Sequence, residues 1–349
     1  LLSLFIPEAI MHIFTREAEV VSGGVSYQKI VAVSYIFGAI TQIFSTALRV
    51  TGHAKTPLKI ALLALSLNAI GNYFLIFGIG PFPVMGIAGA ALATTLSRLV
   101  EVVLLFIVVY RKHPHLAIRD REAFRWPRSF ILHVVPTVLP VLLNEIAWAL
   151  GMTTYKIAYS RIGIDAIAAI NVAESVGNLF FVALLGLSNA TLIMIGIKIG
   201  EHDYPLARKW SRRFVLVAVT VGAVMGGFEL LFAPFFAGMF NISPELQATA
   251  VRLLMIHALT LPARAFNITV IVGVLRAGGD TRFSMLAEMF GVWAIGVPLA
   301  FIGVYLFNLS IVPLYFLVSM EEISKMLIGL GRLKSGKWLN DLTVHAHDV

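Results

Sequence analysis

The 349 residues include no cysteine, which excludes disulfide frameworks and Cys-ligated metal sites. Charge is scarce: 13% of residues are charged, against about 25% in a soluble domain. Long polar stretches are scarce too, with one at 111–128. No basic n-region precedes the first apolar segment, so a secretory signal peptide is not read there. No H-E-x-x-H, no G-x-S-x-G and no nucleophile–base pair is found, so nothing points to an enzyme, a cofactor or a metal centre.

What is present is apolar. Hydrophobic residues make up 58% of the chain, and mean hydropathy is +0.87. Apolar runs of about twenty residues follow one another, each able to cross a hydrocarbon core of about 30 Å as a helix that satisfies its own backbone. They fall at roughly 1–14, 24–48, 57–78, 86–110, 131–156, 163–197, 214–238, 247–275, 283–305 and 311–330. None shows the two-residue alternation of a membrane β-barrel. The sequence predicts an all-α polytopic membrane protein.

The net charge of +8 would suit nucleic acid, but its distribution does not. Most Lys and Arg sit in alternate loops: Arg49 to Lys59, Arg111 to Arg128, Lys198 to Arg213, Arg276 with Arg282, and Lys325 to Lys337. Segments 79–85 and 303–311 carry none. This is the positive-inside pattern of a chain partnered by a lipid bilayer. It predicts a cytoplasmic 111–128 loop and a cytoplasmic C-terminus.

One neighbourhood occurs twice. Leu48-Arg49-Val50-Thr51-Gly52-His53-Ala54-Lys55 returns 227 positions later as Leu275-Arg276-Ala277-Gly278-Gly279-Asp280-Thr281-Arg282. At the same spacing Leu4-Phe5-Ile6-Pro7 meets Leu231-Phe232-Ala233-Pro234. Two homologous membrane bundles in one chain are the mark of a transporter that rocks one half against the other. The expected division is a first lobe over 1–113, an inter-lobe linker over 114–128, a second lobe over 129–331 and a tail over 332–349. The second lobe holds six helices, with Leu231 about 100 residues into it, so Leu4 is expected equally far into the first. That predicts about ten of twelve helices here, the first lobe being a remnant that starts within its third helix. An even number per half makes the repeats parallel.

This layout resembles the MATE family (multidrug and toxic compound extrusion) over nearly the whole chain. The likeness rests on the twice-used Arg-x-x-Gly-x-x-Lys/Arg loop, and on Gly86 to Thr94 opening a helix. It rests also on Pro140…Asn144-Glu145…Trp148, on Gly196…Gly200-Glu201-His202-Asp203…Ala207-Arg208, and on Glu321-Glu322 followed by Arg332…Ser335-Gly336-Lys337-Trp338. The resemblance implies a two-lobed helical bundle with a central cavity, monomeric in the plasma membrane. The implied activity is export of small organic, often cationic, substrates in exchange for Na⁺ or H⁺, with no other cofactor. It also implies an acidic ion site in the first lobe, expected ahead of Leu1.

Charged groups within spans are costly and therefore informative. Helical spacing puts Glu145, Trp148, Met152, Tyr155 and Tyr159 on one face, an acid followed by a polarizable and aromatic stripe. That suits an organic cation through charge and cation–π attraction, and the alternative is a packing salt bridge. On the next helix Asn171, Glu174, Asn178, Leu185 and Asn189 share a face, lining a cavity or bonding between helices. Arg264 and Asn267 follow Pro262, and Arg264 is a candidate partner for Glu145 or Glu174. Here the chain departs from MATE members that place a Na⁺-binding acid in this part of the helix. The departure suggests proton exchange at a carboxylate released from an arginine, with a structural ion pair as the alternative. The candidate binding set is thus Asn144, Glu145, Trp148, Tyr155, Glu174, Asn178, Arg264 and Asn267.

Other charges are given lesser roles. Arg98 with Glu101 reads as a pair within one helix, and Glu229 and Glu288 as single acids that snorkel near helix ends. Glu321 or Glu322 with Lys325 reads as a local pair at the cytoplasmic side. Gly331 to Trp338 nearly matches a phosphate loop, but Trp338 replaces the hydroxyl that holds Mg²⁺. It is expected as a basic interfacial tail with Trp338 at headgroup level. Gly196 with Gly200, and Gly222 with Gly226, both fit small-residue helix packing. The alternatives to an antiporter are a lipid-linked oligosaccharide flippase of the same superfamily and a membrane-embedded enzyme.

Overall fold

The computed structural model describes residues 6–8, 11, 18–118 and 128–340. The expected span at 1–14 lies largely outside them, as do 119–127 of the linker and 341–349 of the tail. Among the described residues eight helical stretches are long and apolar enough to cross a membrane. A further helix of 25 residues carries Glu321, Glu322 and Lys325 near its middle. The chain divides into two compact units, Leu1–Arg125 and Trp126–Val349.

Unit 1 contains α1 (Ala18–Val50), α2 (Lys55–Phe77) and α3 (Gly86–Lys112). Helix α3 packs against both others. Small residues permit the approach: a Cβ on Gly89 would stand 2.5 Å from the carbonyl oxygen of Leu75. Polar side chains bond across the helices, as expected where no water competes. Asn68 Nδ2 donates to Thr94 Oγ1 at 3.2 Å, and the Thr95 hydroxyl donates to the carbonyl of Ile30 at 3.0 Å. Phe44, Leu48, Ile60, Leu105 and Val109 form the apolar core of this unit.

Unit 2 contains α4 (Arg128–Ser160), α5 (Ile164–Gly200), α6 (Tyr204–Gly238) and α7 (Pro244–Ile268), which continues as a π-helical segment Thr269–Leu275. Then come α8 (Thr281–Met289), a second π segment Phe290–Gly296, α9 (Val297–Tyr305) and α10 (Ile311–Ser335). Side-chain caps start two of them: Asp203 Oδ1 accepts from Leu206 N at 3.1 Å, and Ser243 Oγ from Leu246 N at 3.3 Å. Pro298 lies two residues after the second π segment, where a widened turn accommodates a ring that would clash with the carbonyl four residues back. The stretch Pro244–Leu275 is the centre of the unit: 72% of its most apolar window is buried, against at most 33% in the other spans. Gly222 and Gly226 of α6 lie on the α7 backbone, with added Cβ atoms 3.0 Å from Leu261 O and in collision with Ala258 O. Gly196 and Gly200 face nothing within 4 Å.

The last three spans of unit 2 repeat the three helices of unit 1. Pro244–Leu275 has 32 residues against 33 in α1, Thr281–Tyr305 has 25 against 23 in α2, and α10 has 25 against 27 in α3. In each set the third helix packs against both others. The turns after the first helix of each set close alike. Thr51, Gly52 and His53 donate to the carbonyls of Ala47, Arg49 and Leu48 at 3.1, 3.1 and 2.8 Å. Gly278, Gly279 and Asp280 donate to those of Val274, Arg276 and Leu275 at 3.0, 3.1 and 2.9 Å. Gly52 and Gly279 have φ of +84° and +71°, which only glycine adopts freely.

Two readings of the chain's end need correction. Trp338 is 1% exposed, not at headgroup level: it packs with Phe266, Val270, Val274 and Leu275. Asn340 N donates to Gly278 O at 2.8 Å and fixes this segment over the turn. The first residues of the expected tail are therefore part of the packed unit.

Candidate functional site

A cluster of ionisable side chains lies inside unit 2. Lys325 extends from α10 with its Nζ 3.3 Å from Glu322, 3.5 Å from Glu321 and 3.7 Å from Glu288. Arg264 of α7 approaches Glu322 at 3.9 Å. Asn267, one turn on, donates from Nδ2 to the carboxylate and to the backbone carbonyl of Glu322, both at 2.8 Å. The Tyr155 hydroxyl donates in a short contact to Glu321. Glu321, Glu322 and Lys325 are buried, so the chain bears the cost of desolvating them, and each carries compensating partners. The neighbouring glycines make the room. The stem of Lys325 crosses Gly291, where a Cβ would stand 2.5 Å from its Cγ. A Cβ on Gly296 would collide with the Tyr155 hydroxyl and Glu321.

Both π segments adjoin this cluster, one beginning just after Asn267 and Ile268, the other just after Glu288 and Met289. Such widened turns recur at functional sites because they leave backbone geometry that a regular helix does not provide. The cluster holds three carboxylates and two basic side chains, a formal surplus of one negative charge.

A second buried pair links α6 and α7. Glu229 is 0% exposed, and His257 Nδ1 lies 2.9 Å from both of its carboxylate oxygens. One hydrogen bond between carboxylate and imidazole satisfies both groups across the α6–α7 seam. Glu229 therefore does not snorkel, nor does Glu288: both point into the unit.

The sequence-predicted residues divide. Glu145 is 57% exposed at its side chain and accepts from Arg276 Nη2 at 2.8 Å, not from Arg264. Trp148, on the same helical face, is 39% exposed. Further along that stripe Tyr155 and Tyr159 turn into the core, stacked with centroids 6.3 Å apart. Asn144 is buried, and its Oδ1 has no partner among the described residues. Glu174 pairs with Lys156 at 2.8 Å, and Asn171 and Asn178 are exposed beside it. Tyr155, Arg264 and Asn267 of the predicted set meet the carboxylates of α10. The reading of Glu321, Glu322 and Lys325 as a local pair missed their convergence with Glu288, Arg264 and Asn267. A usable signal was present: three charges in the middle of one apolar span. For His257 the signal was a lone histidine within a span.

The family model for MatE matches residues 1–74 and 140–302. The chain is similar to an uncharacterized transporter of Bacillus subtilis, YisQ, at 27% identity over 86% of this chain and 66% of that protein. It is similar to a probable multidrug resistance protein, NorM, of Brucella suis biovar 1, at 30% identity over 79% of this chain and 59% of that protein. The chain thus spans about three fifths to two thirds of the length of these curated relatives. Among solved structures it is similar to a crystal structure of MATE in complex with MaL6, with a TM-score of 0.85 and 19% identity, covering 96% of this chain and 75% of that one. That likeness carries the all-α membrane fold.

Proposed function

The chain belongs to the MatE family of transporters, and from that premise we propose that it serves a secondary antiporter of the plasma membrane, exporting small organic cations in exchange for Na⁺ or H⁺. The observation that carries this reading is the Glu145–Arg276 pair. A carboxylate more than half exposed, beside an exposed indole one helical turn away, is a receptor for a flat organic cation. Its present partner is the arginine of the repeated turn, so an incoming cation competes with Arg276 for one acid. Exchange needs only that ion and substrate differ in affinity between inward-open and outward-open states. A buried cluster with surplus negative charge is a suitable place for the ion. The C-terminus lies in the cytoplasm on this reading, which the Lys and Arg distribution supports, and the working unit is a monomer.

The test is efflux of a fluorescent organic cation from vesicles holding the full-length protein, under a Na⁺ or an H⁺ gradient imposed separately. One gradient is expected to drive efflux, and Glu145→Gln is expected to raise the concentration of dye needed for half-maximal rate by tenfold or more. Unchanged dye affinity in folded Glu145→Gln would remove Glu145 from the substrate site. A lipid-linked diphosphate moved in place of the dye would replace the substrate class.

A further inference from the structure

We infer that the exchanged ion is a proton, that Glu288 carries it, and that Lys325 permanently fills the position a Na⁺ ion would take. This inference rests on the antiporter reading and names its ion. The geometry is that of a cation site already occupied. Lys325 Nζ stands between three carboxylates at 3.3, 3.5 and 3.7 Å, supplying the single positive charge that Na⁺ would bring. A second cation there would sit beside an ammonium in a site with little water to screen it. A proton adds no such neighbour: it forms an O–H bond with one carboxylate and cancels the surplus negative charge.

The three acids are not equivalent. Glu322 is held by Asn267, Arg264 and Lys325. Glu321 is held by Tyr155 and Lys325. Among the described residues Glu288 has one ion-pair partner, Lys325, at the longest of the three distances. The charges facing Glu288 are Lys325, Glu321 and Glu322 from α10 and Arg276 beyond the first π segment, and Lys325 also faces Arg264 of α7. Glu288 is thus the carboxylate with least to lose on becoming neutral. Glu288 is also the last residue but one of α8, which leads into the π segment Phe290–Gly296. A shift of that widened turn to a regular helix would swing the acid relative to Lys325 and change its access to water.

The test uses the full-length protein in proteoliposomes, with three arms. In the wild type an H⁺ gradient alone is expected to drive dye efflux, and a Na⁺ gradient at equal pH is not. Glu288→Gln is expected to lose at least tenfold in H⁺-driven efflux while its dye affinity, measured in detergent, changes less than threefold. In Lys325→Met, apparent Tm is expected to rise with NaCl and not with choline chloride, because the vacated site now takes Na⁺. Efflux driven by Na⁺ in the wild type overturns the inference, as does H⁺-driven efflux retained in Glu288→Gln. Should neither gradient move dye, the antiporter reading falls, and the melting arm still judges the cation site. An equal response of Lys325→Met to both salts would overturn it. If that variant does not fold, the wild-type and Glu288→Gln arms decide.

Discussion

Asn267 and His257 hold their acids in different ways, and truncating each costs differently. Asn267→Ala removes two donors from Glu322 but leaves Lys325 and Arg264 beside it. A loss of about 1–3 kcal/mol is expected, read as a lower melting temperature in detergent. His257→Ala leaves Glu229 buried with no neighbouring cation or donor among the described bonds. About 3–5 kcal/mol is expected there, and Glu229→Gln in the same background should recover part of it. Outside the spans, His53 and His113 lie edge to face with ring centroids 4.2 Å apart. Burial, then the neighbouring His53, His115 and Lys112, hold His113 below the usual histidine range. Its contact therefore contributes fully above the unfolded value of about pH 6.5 and is lost as pH falls through the lower folded value. The wild type is expected to lose more stability on acidification than His113→Phe, as melting curves across that range would show.

Element identity was legible in the sequence because a span is a long run of one residue class, and the nine expected runs from 24–48 onward coincide with helical stretches. Which face meets which neighbour was not. Gly222 with Gly226 and Gly196 with Gly200 have the same spacing, but one pair rests on the α7 backbone and the other on nothing within 4 Å. Spacing states that a helix can be approached, and only the fold states by what. Gly226→Ala is accordingly expected to cost about 1–3 kcal/mol by overpacking. Gly196→Ala is expected to be neutral or stabilising by up to about 1 kcal/mol, since alanine is the better helix former. Parallel melts of the two variants check this. The same limit explains the candidate site. Glu145 and Trp148 share one helix and were read from its periodicity, whereas Glu288, Glu322 and Arg264 meet only through α8, α10 and α7.

At the scale of the whole chain, the repeat read from Leu48 to Lys55 and Leu275 to Arg282 is a repeat of three packed helices and of one hydrogen-bonded turn. The copies differ in what secures the turn. In unit 1 His53 meets His113; in unit 2 Asp280 accepts two bonds from Arg332, at 2.6 and 3.0 Å, and Trp338 closes over Gly278. Trp338→Ala is expected to cost about 3–5 kcal/mol, measured by thermal unfolding, where a Trp at headgroup level would cost little. That seal also imposes an order of events during synthesis. Chains fold from the N-terminus as they leave the ribosome, at about 5–20 residues per second. The described core of unit 1, Phe44 to Val109, is made well before α10 appears. The Phe266–Leu275 surface of α7 must instead wait, uncovered, until a tryptophan made some sixty residues later emerges to cover it. Until then that half of the chain is a client for whatever shields unfinished membrane proteins.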